Sequence, residues 1–253
     1  MSNIEIKNIC HKYQDINGEI SAIDNISFTA NDGEYISIVG PSGCGKSTIL
    51  SIICGLITPT SGSVLIDGEK ISGISNKIGY MLQKDNLLDW RTIYKNVILS
   101  LELQNQLTDE NKQYAIDLLK KYGLYEFKDK YPSQLSGGMR QRAALIRTLA
   151  SKPEILLLDE AFSALDYQTR LLVREDVYAI IKNEKKTTIM VTHDIDESIS
   201  MSDRVIVLTK RPAKINDILT VDFGKDRSPM KVRNDEKFKE YFNKVWKELD
   251  IHV

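Results

Sequence analysis

Gly40-Pro41-Ser42-Gly43-Cys44-Gly45-Lys46-Ser47-Thr48 has the residue types and spacing of a loop that wraps a phosphate group. Its glycines let the backbone fold so that N–H groups converge on phosphate oxygens, and the helix start that follows adds positive potential. Lys46 supplies a cation for β- and γ-phosphates, and the Ser47 hydroxyl can ligate Mg²⁺. Farther along, the apolar run Ile155-Leu156-Leu157-Leu158 ends in Asp159-Glu160. Asp159 can hold Mg²⁺ directly or through water, while Glu160 can orient and polarise an attacking water. In Leu135-Ser136-Gly137-Gly138-Met139-Arg140-Gln141, Ser136 reads as a helix N-cap, and Gly137-Gly138 leave the first N–H groups clear of side chains. That makes a second anion site at a helix start. Two such sites in one chain imply that they face each other across a dimer.

The surrounding elements place these residues where the chemistry needs them. Ile4 to Ile9 alternates apolar and polar with period two, as does Ile26-Ser27-Phe28 before the Asn31-Asp32-Gly33 turn. Glu34 to Val39 reads as a strand feeding Gly40, and Ile49, Leu50, Ile52 and Ile53 carry helical spacing from Lys46 to Cys54, stopped by Gly55. Ser63 to Ile66, Asp67-Gly68 and Glu69 to Ile71 read as a hairpin. A helix capped by Thr108 carries Ala115, Leu118, Leu119 and Tyr122 and closes at Gly123. Another runs from about Gly137 to Ala150, and strands return at Glu154 to Leu158, Thr187 to Val191 and Arg204 to Leu208. Short buried-type strands alternating with helices predict a parallel α/β sheet. An acid pair ending such a strand lies where open α/β sheets bind ligands.

Composition narrows the class. The 253 residues carry 34 basic and 35 acidic side chains, a formal net charge of −1, with 42% hydrophobic and 27% charged residues. That mix builds a core and excludes a disordered chain. Near-neutrality argues against a dedicated nucleic-acid binder. Three cysteines without metal-type spacing fit a reduced compartment. No apolar run approaches the ~18 residues that cross a bilayer, and Met1 to Glu5 lacks the features of a signal peptide. The reading is a chain kept in the cytosol.

Together with Thr192-His193-Asp194, these motifs resemble the ATP-binding subunit of an ABC transporter, in the expected order from about Ile4 to about Ile215. The resemblance implies an α/β P-loop NTPase fold of the ABC nucleotide-binding type, spanning 1–235, with an antiparallel β portion near the N-terminus and a helical insertion over about 86–152. A C-terminal amphipathic helix follows at 236–253, with Phe238, Tyr241, Phe242, Val245 and Leu249 on one face. It also implies ATP hydrolysis with Mg²⁺, and roles for single residues. Gln83 resembles the glutamine that senses Mg²⁺ and the membrane partner, and His193 the switch histidine at the γ-phosphate. Tyr13 resembles the aromatic that stacks on adenine, and Ser163-Ala164-Leu165-Asp166 the loop that crosses the dimer, with Asp166 at the nucleotide. Ala161 departs from the proline usual after the catalytic glutamate, so Glu160 is expected to be held a little less rigidly.

A narrower resemblance, to the nitrate/sulfonate/taurine importer subfamily, rests on Leu87 to Thr92, Tyr131 to Leu135, Phe162 to Asp166 and Lys210 to Ile215. It implies uptake of a small anionic or polar nutrient, nitrate/sulfonate/taurine-like or a vitamin precursor. These segments sit mostly outside the phosphate site, where they would shape the permease contact. The implied partners are separate transmembrane permease subunits, reached through Gln83 to Trp90, a solute-binding protein, and a second copy of this chain. The implied location is the cytoplasmic face of the membrane, as a peripheral subunit. A soluble ABC ATPase acting on nucleic acid or ribosomes is the rival. Tandem cassettes, a long coiled-coil insertion or zinc cysteines would mark it, and none is present.

Overall fold

Two sheets share the work of building the site. The computed structural model describes residues 3–16, 18–163, 165–224 and 227–249, so Ala164 of the motif expected to cross the dimer lies outside the described residues. The chain opens with β1 (Ile4–Asp15) and β2 (Gly18–Ala30), a long antiparallel pair, followed by β3 (Tyr35–Val39) and α1 (Lys46–Ile53). Next come β4 (Ser61–Ile66), β5 (Glu69–Lys70) and β6 (Ile78–Met81). Helices α2 (Ile93–Val97), α3 (Leu99–Leu103), α4 (Asp109–Lys121) and α5 (Gly137–Ala150) occupy the segment expected to be a helical insertion. Strands and helices then alternate through β7 (Ile155–Asp159), α6 (Tyr167–Asn183), β8 (Thr187–Thr192), α7 (Ile195–Met201), β9 (Arg204–Leu208) and β10 (Ile215–Thr220). The last described elements are the helices α8 (Pro229–Val232) and α9 (Glu236–Glu248).

The first sheet is antiparallel, in the order β2-β1-β4-β5. The second runs β10-β9-β3-β8-β7-β6, parallel except for the edge pair β10–β9. Because β3, β6, β7, β8 and β9 point the same way, the loops leaving their carboxyl ends gather at one edge, where α/β sheets bind ligands. Ile155, Leu156, Leu157 and Leu158 are fully buried on both faces of β7, which fits a continuous apolar run rather than an alternating one.

Among the described residues, three clusters of apolar side chains hold the layers. One joins the large sheet to the insertion through Leu145, Leu149, Leu156 and Leu158. A second lies between the sheets and α1, around Ile6, Ile38, Leu50 and Leu157. The third places Val245 and Leu249 of the closing segment beneath Val39, Ile199 and Val207, with Phe238, Tyr241 and Phe242 packed around them. The expected apolar face of α9 thus meets the rest of the domain, and positions 250–253 of the expected helix lie outside the described residues. Where the sequence suggests a short Ile26-Ser27-Phe28 strand, β2 is 13 residues long. Its first four residues, Gly18–Ser21, are mostly exposed and carry no apolar alternation, so pairing with β1 rather than burial sustains them.

Candidate functional site

At the carboxyl edge of the large sheet lies a cavity of about 500 Å³. It is lined by residues 42–48 except Cys44, together with Glu160 after β7, His193 after β8 and Arg211 after β9. Gly45 has φ +122°, a conformation that a side chain would strain, and a Cβ there would also stand 3.3 Å from the Ala22 carbonyl oxygen. Lys46 is buried, and its Nζ donates to the carbonyl oxygens of Gly40 at 2.8 Å and Pro41 at 3.1 Å. Gly40 and Pro41 therefore stand behind the cavity and aim the lysine. Cys44 does not line it either: its thiol is buried, and burial raises its pKa, which makes it a packing group rather than a nucleophile.

The acid pair is brought to the same place. The Ser47 hydroxyl donates to Asp159 Oδ1 at 3.1 Å, and Tyr80 donates to Asp159 Oδ2 at 2.9 Å. Burial and the facing carboxylate push the Tyr80 pKa up, so it stays a donor. Serine hydroxyl plus carboxylate is a hard-oxygen pair of the kind that suits Mg²⁺, which keeps waters and substrate oxygens as its other ligands. No cluster of three or more His, Cys, Asp or Glu able to hold a metal exists among the described residues. Glu160 Oε2 accepts from Gln83 Nε2 at 3.4 Å and lies 3.2 Å from His193 Nδ1. Gln83 also reaches Ser163 Oγ at 3.3 Å. Tyr13 does not line the cavity. Its hydroxyl shares a 3.0 Å hydrogen bond with Thr48 Oγ1, which ties it to the rim.

Ser136, Gly137 and Gly138 stand apart from all of these. None lines the cavity, and α5 packs against α2, α4 and α6 instead. Ser136 Oγ accepts from the Met139 N–H at 3.3 Å, the N-cap that its sequence suggests. Gly138 has a further reason to be glycine: it is buried, and a Cβ there would stand 2.8 Å from Val173 Cγ2. This glycine is required for close contact with α6, besides whatever it leaves open at the helix start. Asp166 is engaged locally as well, accepting from the Thr169 N–H at 3.1 Å to cap α6, a bond that lowers its pKa.

Residues 23–163 match the family described as ABC transporter. The chain belongs to that family. It is 46% identical, over 99% of its length and 96% of the other, to the uncharacterized ABC transporter ATP-binding protein YtlC of Bacillus subtilis. Against the aliphatic sulfonates import ATP-binding protein SsuB of Bacillus cereus it is 35% identical, covering 98% and 96%. Among solved structures it resembles the dimeric post-hydrolysis state of the ATP-binding cassette MJ0796 bound to ADP and Pi. The TM-score is 0.73 and the identity 32%, covering 87% of this chain and 100% of that one. This cassette is therefore the ATP-binding, ATP-hydrolysing subunit of an ABC transporter.

Several features of the cassette were not legible in its motifs. Glu160 has φ +44°, a backbone conformation that costs a non-glycine residue about 1–3 kcal/mol. Its N–H donates to Val191 O at 3.0 Å and its carbonyl accepts from Ser163 N at 3.1 Å, so neighbours on both sides fix it beside a fully buried Ala161. Behind His193, the buried Arg174 donates to Asp194 Oδ2 at 2.5 Å and lies 3.6 Å from Glu197 Oε1. The outer loop 85–92 is clamped from inside. Asn96 Nδ2 donates to the carbonyls of Leu88, Arg91 and Thr92, and Arg147 to those of Asp85 and Asn86. Trp90 is carried on that loop, 76% exposed. Arg211 belongs to a segment expected to serve the permease, yet it lines the same cavity as Lys46, Glu160 and His193.

Proposed function

We propose that this cassette powers an importer for a small anionic or polar nutrient, a sulfonate or a nitrate-like solute, through separate permease subunits served by a solute-binding protein. The end-to-end likeness to an aliphatic sulfonate import subunit supports the solute class. Among the described residues no helix is long and apolar enough to cross a membrane. The subunit would thus work from the cytoplasmic face, docking a permease helix against residues 83–90. A firm loop with a large exposed indole suits such a contact.

Two copies would sandwich two nucleotides. The observation that carries this reading is that the phosphate cavity is built without Ser136, Gly137 or Gly138. In a twofold dimer, the partner's α5 start would complete each site. Ser47 and Asp159 would hold Mg²⁺, with Gln83 beside them, and the ion when bound neutralises charge on the phosphates. Residues 42–48 and Lys46 bind and orient ATP. Glu160 accepts a proton from the water that attacks the γ-phosphorus, ADP leaves with the bridging oxygen, and His193 positions Glu160 and the γ-phosphate. Phosphate release reopens the dimer.

The solute reading is tested in cells lacking this chain, by uptake of labelled alkanesulfonate, taurine and nitrate. Uptake of one solute should be lost, then restored by the wild-type chain and not by Glu160→Gln. Undiminished uptake of all three would refute it.

A further inference from the structure

Arg211 has no role in the reading above, and its surroundings give it one. The turn between β9 and β10 that carries it is anchored on both sides. Ala213, fully buried, donates its N–H to Ala22 O at 2.9 Å and accepts from Asp24 N at 2.9 Å. Thr209 and Lys214 close the base of the turn, with Thr209 N donating to Lys214 O at 3.0 Å and Lys214 N to Thr209 Oγ1 at 3.0 Å. The backbone of Arg211 is therefore fixed against the strand that abuts Gly45, while its side chain lines the cavity with Lys46 and Ser47. The guanidinium has no hydrogen-bond or ion-pair partner among the described residues. Lys46, by contrast, already spends two donors on Gly40 and Pro41. An unpaired guanidinium at the edge of a cavity built for polyphosphate has the planar fork that fits phosphate oxygens.

Its side of the cavity matters too. In the order β9-β3-β8-β7, Arg211 leaves one neighbour of the phosphate loop's strand, whereas His193 and Glu160 leave the other flank. We infer that Arg211 is a nucleotide-binding residue of this cassette, its guanidinium holding the terminal phosphates from the wall opposite Glu160 and His193. The inference rests on the nucleotide-site reading and adds a second cation, beside Lys46, that the phosphate-loop pattern does not contain.

The test is equilibrium binding of fluorescent ATP and AMP analogues, with Mg²⁺, to the full chain as wild type, Arg211→Ala, Arg211→Lys and Lys46→Ala. Arg211→Ala should raise the Kd for ATP about tenfold, the lower end for a charge-assisted contact because the side chain is exposed. Arg211→Lys should recover part of the loss, since it keeps the charge without the fork. AMP should change less than about twofold, and the ATP effect should shrink as salt screens the charge. Without nucleotide, melting should be unaltered, because no internal partner is lost. If Lys46→Ala weakens ATP binding while Arg211→Ala stays within twofold of wild type, Arg211 is not a ligand and the phosphate-loop site stands. An equal loss for AMP overturns the assignment to the terminal phosphates. Failure of the wild type itself to bind ATP overturns the site reading and this inference with it.

Discussion

Replacing Glu197 by glutamine should change how the cassette's stability depends on pH. Glu197 is buried on α7, where Thr192 Oγ1 donates to its Oε2 at 2.5 Å, and its Oε1 has no hydrogen-bond partner among the described residues. Burial pushes its pKa up to about 7 from an ordinary 4.5. Asp194 adds to the rise, while Arg174, the Thr192 hydroxyl and His193 oppose it. An acid that holds its proton more tightly when folded stabilises the fold only while protonated in that state. Stability is thus complete below the unfolded pKa near 4.5 and is lost as pH rises toward 7. At about 1.4 kcal/mol per tenfold, the gap between the two values amounts to about 3 kcal/mol. Urea unfolding of wild type and Glu197→Gln at pH 5, 6, 7 and 8 isolates this group, because subtracting the two curves cancels the other titrations. From pH 5 to pH 8 the wild type should lose about 2–3 kcal/mol relative to the variant. A difference that does not vary with pH would refute the argument, and would mean that Arg174 keeps Glu197 ionised throughout.

Lys46→Ala should raise the Kd for Mg²⁺-ATP at least tenfold, read by titration with a fluorescent analogue, because the buried cation of the loop is removed. Trp90→Ala should shift the melting temperature little, since an exposed side chain costs about 0.5 kcal/mol or less, whereas a core tryptophan would cost about 3–5 kcal/mol. Transport in membranes containing the permease should nevertheless be lost, and a large fall in melting temperature would argue against a docking role. Tyr80→Phe should leave ATP binding without metal unchanged and raise the Mg²⁺ concentration needed for half-maximal hydrolysis by roughly tenfold, because Asp159 loses a supporting donor.

How much was legible depended on whether a residue's role is local. Ser136 and the helix Gly137–Ala150 stand in the structure at the boundaries read from sequence, because an N-cap and an apolar stripe are encoded within a few turns. The convergence of Lys46, Ser47, Asp159, Glu160 and His193 could be anticipated, because a parallel sheet sends all its carboxyl ends to one edge. Helix α6 carries no motif that names it, although Val173, Val177, Ile180 and Ile181 recur at helical spacing. The buried charge on that face, Arg174, is out of place until Asp194, after β8, accepts from it. Edge strand β10 was silent, with Asn216, Asp217 and Thr220 exposed, and it is held by pairing with β9. Arg211 was hidden for a third reason: nothing near it in sequence binds phosphate, and only the adjacency of β9 to β3 carries it there.

The central claim is that each ATP site is shared between two copies, and complementation tests it most directly. Lys46→Ala removes the phosphate-loop half of a site, and Ser136→Arg blocks the half donated by α5, so each homodimer should be inactive. In a mixed dimer both lesions fall on one site, which leaves the other site with an intact Lys46 and an intact Ser136. With random pairing, half the dimers are mixed and each has one working site of two, so the mixture should recover about a quarter of wild-type ATPase activity. A mixture no more active than either variant alone would contradict the shared site.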